Sequence, residues 1–101
     1  MTPEIFSRLE SLNIQWMVHA EGYAVFTRGD LIAMANCADN GRIASLGSTG
    51  MMTDNGLAYL AWRGGPVLAA HGGKEILATA EQAETIQQFS AELKTALGLG
   101  E

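Results

Sequence analysis

His19, Tyr23, Asn36 and Ser45 carry an imidazole, a phenol, a carboxamide and a hydroxyl, groups suited to proton transfer or to holding a polar ligand. No two are neighbours in the chain, so a joint site depends on strands that bring them together. Turn chemistry predicts such strands. If Gly29-Asp30 and Asn40-Gly41 are two-residue hairpin turns, Tyr23, Asn36 and Ser45 fall in one row. The loop Ala20-Glu21-Gly22 then adds His19 to that row from the preceding strand. Flanked by Met17, Val25 and Met34, the row would hold a small ligand, with His19 as acid/base or hydrogen-bond anchor. Its plainer reading is the solvent side of an antiparallel sheet, or a subunit interface with a polar patch. His71, in the second half of the chain, is a further candidate ligand-binding residue.

Other chemistry is less well supported. His19-Ala20-Glu21 has the His-x-Glu order of zinc deaminases, but the second metal-binding motif needs cysteines. Cys37 is the only cysteine, so a thiolate metal cluster and an intrachain disulfide are both excluded. No ligand spacing joins His19 or His71 to Glu21 or Asp54, and no metal site or cofactor is expected. Gly47-Ser48-Thr49-Gly50 lacks the lysine and following helix of a phosphate loop and reads as an inter-strand loop. Arg28-Gly29-Asp30 is explained as a hairpin turn. Cys37 shares a face with Phe26, Ala35 and Ala44, apolar surroundings that leave a thiol buried and unreactive.

Strands and helices must position these groups. Pro3 and Glu4 suit the first turn of a helix, Ile5, Phe6, Leu9 and Leu12 give it an apolar face, and Asn13 stops it. From Ile14 the period becomes strand-like. Segments 14–19, 23–27, 31–38 and 42–46 follow in meander order, with Asp39 and Arg42 opposite each other as an ion pair. Ala24, Ala35 and Leu46 form one apolar row, with Trp16, Val18, Phe26, Ala33, Cys37 and Ala44 around it. Met17, Val25, Thr27, Ile32, Met34 and Ile43 take the other face.

Turn chemistry orders the second half in the same way. A short strand 51–53, a turn at Asn55-Gly56, strands 57–62 and 67–70 about Gly64-Gly65, and a short strand 75–77 are expected. That register puts Thr53, Ala58 and His71 in one row beside Met51, Leu60, Trp62 and Ala69, with Leu57, Tyr59, Ala61, Leu68 and Ala70 opposite. Thr79-x-x-Gln82 is a capping box, and Ile86, Phe89, Leu93, Ala96 and Leu97 make one face of a helix over 80–97, closed by Gly98. The fold expected is α+β: a single domain over residues 1–101 with an N-terminal helix, an antiparallel β-meander of about six to eight short strands, and a C-terminal amphipathic helix packed on the sheet.

Composition bounds the function. Charged residues are 17% of the chain, against roughly 25% in ordinary domains. The formal net charge of −5 and six scattered Lys and Arg exclude nucleic acid as a partner. No segment resembles a signal peptide or a membrane span, so the expectation is a soluble cytoplasmic protein. A small chain with little charge and a hairpin apolar on both faces is expected to self-associate, as a homodimer or higher oligomer. Tyr59, Leu60, Trp62 and Leu68 are the candidate interface residues. The function read from the sequence is therefore a small homo-oligomeric binding or interaction module with no evident catalytic constellation. The alternative is a small-ligand-binding protein or enzyme built around His19, Tyr23, Asn36 and Ser45, with a small molecule or another protein as partner.

Overall fold

The structure, a computed structural model, describes residues 3–19, 22–38, 43–54, 56–70 and 73–99. Helix α1 spans Pro3–Ser11, and seven strands follow: β1 Gln15–His19, β2 Tyr23–Arg28, β3 Leu31–Cys37, β4 Ile43–Thr53, β5 Gly56–Trp62, β6 Pro66–Ala70 and β7 Glu75–Leu77. Helix α2, Ala80–Leu97, closes the chain. The strands form one antiparallel sheet in sequential order, an α+β meander with α2 packed on it.

The helix ends follow from local chemistry. Asn13 adopts φ 59° and stops α1, and the Ile14 N–H donates back to the Leu9 carbonyl at 2.9 Å. At α2 the Thr79 hydroxyl accepts from the Gln82 N–H at 3.0 Å, and the Gln82 side chain accepts from the Thr79 N–H at 2.9 Å. Gly98, at φ 74°, terminates the helix.

Both helices lie on one side of the sheet. Leu9 of α1 and Phe89, Leu93 and Leu97 of α2 close over Ala24, Phe26, Ala33 and Ala35. The alanines let the helices approach closely, and all four sheet residues are essentially inaccessible. Farther along α2, Ile86 covers Ala58 and Leu68, with Leu31, Met51, Leu60 and Ala70 around them. Arg28 ties the parts together. Its guanidinium makes two bonds to the Glu92 carboxylate at 3.1 and 3.3 Å, donates to the Leu12 carbonyl at 3.2 Å, and stacks 5.1 Å above the Phe89 ring.

The first three strands pair in the expected register. Arg28 is opposite Leu31, so Gly29-Asp30 is the two-residue turn, and Ala24, Ala35 and Leu46 share a row. Four expectations need correction. Residues 47–50 are not a loop: β4 runs unbroken from Ile43 to Thr53, because pairing with β3 outweighs the weak strand propensity of glycine and serine. An irregularity beside Asn36 and Cys37 admits an extra β4 residue, which reverses the alternation there. Ile43 therefore turns into the core and Ala44 out to solvent, opposite to the sequence reading.

The third correction concerns the second half. Thr53 pairs with Gly56, so Gly56 belongs to β5 and not to the turn, and Met51 rather than Thr53 lies opposite Ala58. Trp62 pairs with Pro66, making Arg63-Gly64-Gly65 a three-residue loop. That one-residue difference moves every β6 side chain to the other face, so Leu68 and Ala70, not Ala69, join Ala58 and Leu60. Finally, Cys37 is half-buried at the end of β3, packed on the core's margin instead of enclosed by it. The Asn40-Gly41 turn and the Asp39–Arg42 pair lie outside the described residues.

Candidate interaction face and polar ladder

The sheet side that carries no helix is organised by one register line that crosses every strand. It runs through Gln15, Thr27, Ile32, Gly50, Tyr59, Ala69 and Glu75. A parallel row holds Met17, Val25 and Met34, and further rows hold Met52 with Leu57, and Ala61 with Val67 and Leu77. Because residues opposite each other in a ladder share a face, all of these side chains point away from α1 and α2. Met17, Met52 and Leu77 are 60%, 52% and 85% exposed, while Val25, Ile32, Met34, Leu57 and Tyr59 are half-buried.

The face is almost free of charge. Among the residues of the seven strands only Arg28 and Glu75 are ionic. Arg28 turns to the helix side and its partner Glu92, while Glu75 pairs with Arg63 at 3.3 Å at the sheet's far edge. The other acidic side chains among the described residues sit on α1, on α2 and in turns: Glu4, Glu10, Glu81, Glu84 and Glu92, with Asp30 and Asp54.

At one end of the same face lies the polar ladder. His19 pairs with Tyr23, Tyr23 with Asn36, and Asn36 with Ser45, so the four are consecutive across β1 to β4. The Asn36 amide donates to the Ser45 hydroxyl at 3.1 Å. Both of these side chains are exposed and Tyr23 is half-buried, which makes the ladder an open surface of hydrogen-bonding groups. His19 is placed here by its backbone register, and His71 lies outside the described residues. Among the described residues no three His, Cys, Asp or Glu side chains come together as metal ligands would.

The candidate interface residues separate. Tyr59 belongs to the helix-free face, where its hydroxyl reaches the Met34 sulfur at 3.2 Å. Leu60 packs on the helix side, and Leu68 is fully buried there beneath Ile86, so neither is open surface within one chain. Trp62 shares their side of the sheet yet is 54% exposed. The sequence reading grouped Ile32 with Met17, Val25 and Met34, and Leu57 with Tyr59, as the structure does. It left Met52 unassigned and named none of the three as interface, because both faces of this chain read as apolar and only the position of α2 tells them apart. The alternation of Leu57, Tyr59 and Ala61 was the available signal.

No protein-family model matches the chain, and no curated protein or solved structure shows significant similarity to it. Among the described residues, no helix is long and apolar enough to cross a membrane.

Proposed function

We propose that this chain is a small self-associating interaction module, whose helix-free sheet face packs on the same face of a second copy. The observation that carries this reading is the segregation of charge. Apart from Glu75, which ends the row through Ile32 and Tyr59 at the sheet's edge and is paired with Arg63, the described acidic residues occupy the helices and turns. The rows through Met17, Ile32, Tyr59 and Ala61 are otherwise free of carboxylates. An apolar surface of this extent is rarely left in water by a monomer.

The dimensions suit a copy of the same face. Seven strands about 4.8 Å apart, each about six residues long at roughly 3.3 Å per residue, make a face of roughly 650 Å². Burying it on two copies removes roughly 1,300 Å², within the range of specific interfaces. A two-fold axis sets apolar rows against apolar rows and leaves no carboxylate unpaired at the centre. Tyr59, near the middle of the register line, is the aromatic anchor such contacts use.

Met52→Lys tests the reading. Met52 is exposed on this face, so the variant is expected to fold, and a buried ammonium is expected to dissociate the assembly. Unchanged mass by light scattering would count against the face.

A second reading keeps the polar ladder as a small-ligand site. It is favoured by the shared row of His19, Tyr23, Asn36 and Ser45, whose hydroxyl and amide groups suit a hydroxyl-rich molecule. Titration with a panel of monosaccharides and nucleosides, followed by the amide NMR signals of residues 23, 36 and 45, tests it. Uniformly unmoved signals would end this reading.

A further inference from the structure

The two edges of the sheet are built differently. β7 is three residues long and carries Glu75, ion-paired to Arg63, the kind of short and charged strand that discourages a further strand from joining. β1 has neither safeguard. It is five residues, Gln15-Trp16-Met17-Val18-His19, with no lysine, no carboxylate and no proline. Its pairing with β2 is even from Gln15–Thr27 to His19–Tyr23, without a bulge to twist the edge away. It stands at the end of the strand order, so one of its backbone edges has no strand beside it among the described residues. Trp16, Met17 and Val18 are 43%, 60% and 49% exposed, on both faces of the same strand.

We propose that the free edge of β1 pairs antiparallel with β1 of a second copy, about a two-fold axis at Met17. This deepens the self-association reading only in its choice of partner; the surface is a different one. The strand's own sequence is the argument for a second copy. In an antiparallel ladder, directly opposed residues must share a face, so the sum of their numbers must be even. An axis at Met17 satisfies this and pairs the whole strand. Met17 then meets Met17 of the partner subunit, Trp16 meets Val18 of the partner subunit, and Gln15 meets His19 of the partner subunit.

The resulting pairs are complementary. Aromatic against β-branched is among the favourable cross-strand pairs, and the two polar ends face each other. No like charges are opposed. Trp16 already stacks on Phe6 of α1, with ring centroids 4.7 Å apart, so the indole stands ready on the helix side for Val18 of the partner subunit. The axis runs through the sheet, so two seven-stranded sheets become one continuous sheet with all helices on the same side. The helix-free face is doubled in width and remains available for the contact proposed above. Both contacts together make a tetramer of two such sheets face to face.

Val18→Lys separates the two contacts, because Val18 lies on the helix side and not on the helix-free face. With both contacts formed, the native protein has four times the 10.7 kDa chain mass. Val18→Lys is then expected to halve the mass measured by light scattering, Met52→Lys to halve it independently, and the double variant to give monomer. Val18→Thr, uncharged and β-branched, is expected to leave the native mass. A Val18→Lys protein with native circular dichroism and unchanged mass overturns the edge contact, whatever Met52→Lys does. If Val18→Lys does not fold, hydrogen exchange on the native protein decides. Protection of every successive amide from 16 to 18 supports a paired edge, and an alternate amide exchanging at the unfolded-chain rate overturns it.

Discussion

The hydroxyl of Tyr59 lies 3.2 Å from the sulfur of Met34, although β4 runs between their strands. The reach is made possible by Gly50, which pairs with Ile32 on one side and Tyr59 on the other and has no side chain on the face they share. The phenol thus crosses the middle of the sheet and links its two halves. Gly50 is also where β4 changes partners: residues 43–49 pair with β3 alone, and Gly50 and Met51 with both neighbours.

Gly50→Ala is therefore expected to be costly. A methyl group at this position would collide with the Ala58 carbonyl, and backbone on a paired strand has little room to give. We expect a loss of about 1–3 kcal/mol, as overpacked sites show. Urea titration of the variant against the native chain checks it, and equal midpoints would mean that β4 and β5 are farther apart than described.

Phe89 is fully buried where α2 crosses Phe26 and the alanine rows. Phe89→Ala is expected to cost about 3–5 kcal/mol, the usual figure for deleting an enclosed ring. It also removes the surface beneath the Arg28 guanidinium. A loss below about 1 kcal/mol would be inconsistent with a ring enclosed on all sides.

Arg28 and Glu92 are coupled, and the coupling is measurable. Both side chains are less than a third exposed, at 28% and 30%, and they meet through two parallel hydrogen bonds. A double-mutant cycle with Arg28→Met and Glu92→Gln is expected to give an interaction energy of about 1 kcal/mol. Arg28→Lys is not expected to restore it, because an ammonium cannot bond both oxygens and also stack on Phe89. Full rescue by lysine would show that charge alone matters here.

Much of this architecture is legible in the sequence where local chemistry decides it. Thr79, Gln82 and Gly98 define α2, and Gly29-Asp30 sets the register that brings Tyr23 and Asn36 together. The misreadings have local causes as well. Arg63-Gly64-Gly65 and Gly64-Gly65 are both acceptable hairpin loops, and a difference of one residue decided which face Leu68 would take. The irregularity that turns Ile43 inward has no sequence signature. Nor does the Arg28–Glu92 pair, whose members are 64 residues apart and meet only when α2 docks. For the candidate surface, alternation identified Tyr59 as facing away from Leu60, but the covered side depends on where Ile86 lands.

Self-association is the central claim, and the mass of the native chain in solution tests it most directly. Size exclusion coupled to light scattering at micromolar concentration is expected to give an integral multiple of 10.7 kDa, falling toward the monomer only on strong dilution. A single species of 10.7 kDa across that concentration range would contradict the account.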